Sequence, residues 1–154
     1  MGSIAGSSPV STEQAEALGK IEQGEFLADY GKIEEALASF ADAERISPEI
    51  QITASSWNHL CIRGCVWGHV ADVKDACNLA VSLAPADDGM LFGRGFARAL
   101  TNDYSGAIED FKIYVEWTKD SGFYDPYGIE IEGFIIELEA GRNPFDEAQL
   151  DEWK

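Results

Sequence analysis

Apolar positions recur three and four residues apart along most of the chain, in stripes separated by turn-forming residues, which is the spacing of one helix face. Ser11-Thr12-Glu13-Gln14 has the spacing of a capping box and predicts a helix from about Thr12 to Tyr30, ended by Gly31. Ile33, Ala36, Leu37, Phe40, Ala43 and Ile46 predict a second helix, stopped at Ser47-Pro48 because proline lacks the backbone donor. Trp57, Leu60, Cys61, Gly64 and Cys65 mark a third, and Val70, Val73, Cys77, Ala80 and Leu83 a fourth, with a turn at Gly68-His69 and a stop at Pro85. Asp87-Asp88 opens the next, and Tyr104, Ala107, Ile108, Phe111, Tyr114 and Val115 carry its partner to Ser121-Gly122. Beyond a loop at Asp125-Pro126, a helix is expected from about Tyr127 to Ala140 with Gly141 as its cap. Asn143-Pro144-Phe145 then turns the chain into a short final helix opened by Asp146-x-x-Gln149 and ending near Trp153. The expectation is all-α, about seven helices and no sheet.

The stripes repeat. Gly31, Ala36, Phe40, Ala43 and Pro48 stand 37 residues before Gly68, Val73, Cys77, Ala80 and Pro85. Leu91, Gly95, Ala99, Ala107, Phe111 and Tyr114 stand 34 residues after Trp57, Cys61, Cys65, Val73, Cys77 and Ala80. Small residues fall in columns at Gly24, Cys61 and Gly95, and at Ala28, Cys65 and Ala99, where paired helices must approach closely. Phe40 and Phe111 are expected to be core anchors at matching places. The units are read as 17–53, 54–87 and 88–121, with the segment Glu49–Thr53 carrying three residues more than the strict period, inside a single domain 11–154. The segment 122–154 is read as a closing helix and tail, and the Gly/Ser-bearing 1–10 as a flexible leader.

A period near 34 residues of paired helices, with Trp57 and Leu60, then Ala36, Phe40, Ala43 and Pro48, then Ala107 and Phe111, resembles the tetratricopeptide repeat family. Lys20, Gln23 and Arg94 depart from it where bulky apolar residues are usual, and Lys119 stands in place of the third closing proline. The tail EGFIIELEAGRNPF is similar to the closing helix that follows such repeats in some large bacterial signalling and WD-repeat proteins. The resemblance implies three helix pairs and a capping helix, wound as a right-handed superhelical solenoid whose first helices line a concave groove. On this chain that face maps to Ile21, Glu25 and Asp29, then Asn58, Ile62 and Val66, then Phe92, Phe96 and Leu100, and Phe134. Ile62, Phe96 and Phe134 are expected to form an exposed apolar stripe. Family members that clamp a peptide's carboxylates carry lysine, asparagine and arginine there. Ile21, Glu25, His59, Gly89 and Gly93 hold the corresponding places, so the resemblance does not extend to that clamp.

Charge narrows the partners. A formal charge of -17 and a pI near 4.2 repel phosphate backbones and anionic lipid surfaces, while keeping the chain soluble and suiting a basic partner. No apolar run approaches the roughly 20 residues needed to cross a bilayer. MGSIAGSSPV lacks the basic and long apolar regions of a secretory signal. Three cysteines on apolar helix faces suggest a reducing, cytoplasmic setting.

Candidate chemistry is sparse. Cys61, Cys65 and His69, with Cys77, are ligand types for zinc, but the cysteines occupy packing columns and His69 falls in a turn. His59 precedes Cys61 by two residues and so points to another helix face, which argues against a thiol–imidazole pair. Gly93-Arg94-Gly95 lies inside a helix, the wrong context for a phosphate loop. The carboxylates read as solvated helix backs. No catalytic residue, metal or cofactor is expected. Trp57, Trp67 and Trp117 read as core, and Trp153 as a residue that caps the tail or docks another chain.

These readings converge on a non-enzymatic scaffold or adaptor that binds another protein in its groove, an amphipathic helix or apolar peptide with a basic end. The alternative is a structural subunit or regulatory partner in a larger signalling assembly, with the apolar groove buried against another chain or a second copy.

Overall fold

The computed structural model describes residues 8–154, so the expected leader lies mostly outside the described residues. Among these, the chain is all-α. Eight α-helices follow in order: α1 Thr12–Asp29, α2 Ile33–Ile46, α3 Ala54–Val66, α4 Val70–Leu83, α5 Leu91–Leu100, α6 Tyr104–Ser121, α7 Ile129–Glu139 and α8 Glu147–Glu152. A 3-10 turn, Asp88–Met90, leads into α5, and a π-helical turn, Tyr124–Gly128, stands where a loop was expected. No helix among the described residues is long and apolar enough to cross a membrane.

The helix starts follow from local chemistry. Ser11 Oγ accepts from the Gln14 amide at 3.0 Å while Gln14 Oε1 accepts from the Ser11 amide at 3.1 Å, so two otherwise orphaned donors are satisfied at the start of α1. Thr53, Asp103 and Asp146 cap α3, α6 and α8 in the same way, each side-chain oxygen accepting a backbone amide three residues on. Gly31, Gly68 and Gly122 close helices with φ of 76°, 81° and 80°, a conformation that L side chains rarely adopt.

Packing is by neighbours. α1 lies on α2, α3 on α4 and α5 on α6, while α1 packs on α3, α3 on α5, and α6 on α7. The paired helices meet where the small-residue columns fall. A Cβ on Gly24 would stand 2.6 Å from the Phe40 ring, and one on Gly95 2.7 Å from the Phe111 ring. Phe40 and Phe111 are buried, as expected of anchors. The insertion is more than a spacer, because Ile52 within it is buried and Ile50 packs partly on the core.

One cysteine expectation is corrected here. Cys61 and Cys77 form a disulfide between α3 and α4, with Cα atoms 4.9 Å apart, leaving Cys65 as the free, buried thiol. The argument for a reducing compartment, which rested on three unpaired thiols, loses its premise.

Arg94, an odd residue in the repeat pattern, has a structural partner. Its Nε and Nη2 donate to the two oxygens of Asp110 at 2.9 and 2.8 Å, and Arg98 Nη1 donates to Asp110 Oδ2 at 3.0 Å. Asp110 is 1% exposed, so its charge is held by two guanidinium groups in place of water. That hydrogen bond holds the Arg94 pKa above its usual value, with burial acting against it.

Candidate functional site: an apolar cleft partly filled by the tail

A cleft opens between α3, α5, α6 and α7, enclosing a cavity of about 420 Å³. Ile62, Val66, Phe92, Ile131 and Phe134 give it apolar walls, while Arg63, Tyr114, Tyr127 and Glu130 bring polar groups to its margin. Burial pushes the Tyr114 hydroxyl above its usual pKa, and the neighbouring Tyr127 and Glu130 add to that, so it remains a neutral donor at physiological pH. A wall of aliphatic and aromatic side chains with few polar groups suits an apolar side chain or short segment of a ligand.

The remaining wall is Trp153, from the far end of the chain. After Gly141, residues 142–154 double back so that Phe145 and Trp153 enter the cleft from one side. The Phe145 ring lies 4.6 Å from Phe96 and 4.8 Å from Phe134, and Trp153 meets Phe96 edge-on at 5.6 Å. Such offset and edge-on pairs are favoured by the ring quadrupoles. Arg63 ties the end of the tail down: Nη1 donates to the Trp153 carbonyl at 2.8 Å and Nη2 to that of Lys154 at 3.4 Å. Arg63 Nη2 also donates to the Asp29 carbonyl at 3.0 Å, occupying an orphan acceptor at the end of α1. The Asp29 carboxylate lies 3.3 Å from Arg63 Nε and 3.0 Å from His59 Nε2, near enough for charge but outside hydrogen-bonding alignment. Lys154 Nζ rests 5.2 Å from the centroid of Trp67, whose ring also covers Gly31.

The structure distributes the expected groove residues unevenly. Ile62, Val66, Phe92 and Phe134 do line the cavity. Phe96 does not, being fully buried beneath Phe145 and Trp153, and Phe134 retains 8% exposure, so the exposed stripe of Ile62, Phe96 and Phe134 is corrected. Its physical cause is the tail, which covers apolar surface that would otherwise face water. Ile21 is buried in the core and Leu100 packs against it. Glu25 is half-buried on α1 but outside the cavity lining, and Asp29 lies by the Lys154 end of the tail. Asn58 is turned to Gly93 of α5, its Oδ1 buried without a hydrogen-bond partner. Arg63, Tyr114, Tyr127, Glu130, Ile131 and Trp153 were missed. All but Arg63 lie off the first helices that the repeat analogy singles out, or follow the last of them.

The other candidate chemistry separates. His69 Nδ1 lies 2.9 Å from Asp72 Oδ2, and His59 faces Asp29. The three sulfurs lie close together in the core, but two are bonded to each other. Burial pushes the remaining Cys65 thiol up to about 12, far from a reactive thiolate.

No protein-family model and no curated protein matches this chain.

Proposed function

We propose that this chain is a non-enzymatic protein-interaction module of the tetratricopeptide-repeat type, a scaffold or adaptor whose first helices and closing helix hold an apolar segment of another protein. The observation that carries the reading is the 420 Å³ apolar cavity beside a cleft that already accommodates two aromatic side chains of a peptide segment. The charge of -17 favours a partner with a basic end and disfavours nucleic acid and anionic membranes. The bonded Cys61–Cys77 pair favours an oxidising compartment over the cytoplasm.

A peptide library displayed on phage and panned on the full chain tests it. Selected peptides should lose at least tenfold in affinity to chains carrying Tyr127→Ala or Ile62→Ala, residues that line the cavity. Equal affinity for both variants would remove the cleft as the binding site.

A second reading, a structural subunit stacked on another chain, is favoured by the outer face of α6 and α7. Ile136 is 63% exposed and lies with Val115 and Ile135 in a depression between the two helices, a surface that a further repeat could cover. A mass that rises with concentration, and falls back with Ile136→Lys, would favour it.

A further inference from the structure

The cleft and the tail together say what the ligand looks like. The tail is held by little. Its helix, Glu147–Glu152, is too short to persist in water without packing. Its anchors are the Phe145 and Trp153 rings, and among the described residues Arg63 supplies the hydrogen bonds from another helix to its last two carbonyls. Its four carboxylates, Asp146, Glu147, Asp151 and Glu152, outnumber its cations Arg142 and Lys154, so it is net acidic like the rest of a chain whose total is -17. Like charges thus oppose its docking, while the aromatic rings hold it.

Two adjacent residues make the polar and apolar ends of the fit. Trp153 fills the cleft beside Phe96 and Phe134 and forms one wall of the open cavity. Lys154 lies over Trp67 in a shallow depression that Asp29 also lines. An aromatic side chain is desolvated among rings, and the cation that follows lies over an aromatic face of the body of the chain, its ion pair being with Asp151 of the tail itself at 2.6 Å.

We propose that the cleft's partner is a protein segment bearing a bulky aromatic residue followed by a basic one, and that Trp153-Lys154 is the chain's own tethered version, which that segment displaces. This rests on the cleft being a protein-binding site. A tethered ligand acts at an effective concentration on the order of millimolar for a short linker, so it raises the threshold for any free competitor. A basic segment lacking the tail's four carboxylates has the electrostatic advantage. Leaving, Trp153 would also open its side of the existing cavity, giving the partner room for a second apolar side chain.

The test uses the full chain and a fluorescent peptide reproducing residues 142–154. Trp153→Ala vacates the aromatic position, and the peptide should bind this variant at least tenfold more tightly than the unmodified chain. Replacing the peptide's own tryptophan with alanine should remove that gain, and replacing its lysine with glutamate should reduce binding several-fold. A folded variant that binds no more tightly, or that binds the alanine peptide equally well, overturns the proposal. So does a concentration-dependent dimer of the unmodified chain that Trp153→Ala abolishes, which would place the tail in a second copy. Where Trp153→Ala does not fold, hydrogen exchange on the unmodified chain decides. The amides of Leu150, Trp153 and Lys154 should exchange at least a hundredfold faster than those of α3 and α5, and equal protection overturns displacement. Library peptides that need Tyr127 and Ile62 yet bind equally with and without Trp153 would leave the cleft standing and remove the tail's role alone.

Discussion

At residues 24 and 40, 61 and 77, and 95 and 111, the three helix pairs make the same contact, sixteen residues apart in each case. In the first and third pairs a glycine lies under a phenylalanine ring; in the second, two sulfurs are joined. The disulfide therefore occupies the place of the glycine–phenylalanine contact, at a point where the helices already run close enough for a bond. Reading the small-residue column against the phenylalanine column would have paired Cys61 with Cys77, whereas each column taken alone reads as packing. In denaturant without reductant one thiol per chain should react with a thiol dye, and three after reduction. In the native state at pH 8 Cys65 should stay silent, since its thiol is pushed up to about 12 and only about one part in ten thousand is thiolate. Reduction should lower stability by about 3 kcal/mol, the size for a loop of this length, read as a shift in the denaturant midpoint. Asp110 is the other residue on which much rests. Asp110→Ala leaves Arg94 and Arg98, a quarter to a third exposed, facing each other without their shared carboxylate, and the loss should be about 2–3 kcal/mol in chemical denaturation.

For the helices, local signals carried most of the account. The capping oxygens of Ser11 and Asp146, the stop at Gly31 and the stripe on α2 all work over a few residues, and those are the distances that a spacing pattern reports. Phe40 and Phe111, matched by period, are both buried, so Phe40→Ala or Phe111→Ala should each cost about 3–5 kcal/mol. Glycine at 24 or 95 leaves no side chain to fill the space, which makes a similar loss at both sites the expected thermal-melt result. The site was less legible because it depends on where a short element returns. The turn at Asn143-Pro144 and the helix after it were readable, but no local spacing specifies that Phe145 and Trp153 come back to Phe96, a contact across much of the chain. The one available signal was compositional: two large aromatic residues in an otherwise acidic tail require a surface to cover them. Burial of Phe96 and the missed wall at Trp153 follow from that single return.

Across the whole molecule the charge of -17 acts on folding and on recognition in opposite senses. Confining this much like charge in one folded chain opposes the folded state through self-repulsion, and added salt screens it. The melting temperature should therefore rise by a few degrees between about 20 mM and about 0.5 M sodium chloride. Association with a basic-ended segment draws on the same field as attraction, so screening should weaken it, chiefly by slowing the encounter. Between those salt concentrations the affinity for an aromatic–basic peptide should fall several-fold, with the association rate carrying most of the change and dissociation, set by the ring contacts at Phe96 and Phe134, changing little. Calorimetric melts and stopped-flow mixing on the same samples measure both. Were stability and affinity to rise together with salt, hydrophobic burial alone would govern the interaction, and the basic end assigned to the partner would have no part in binding.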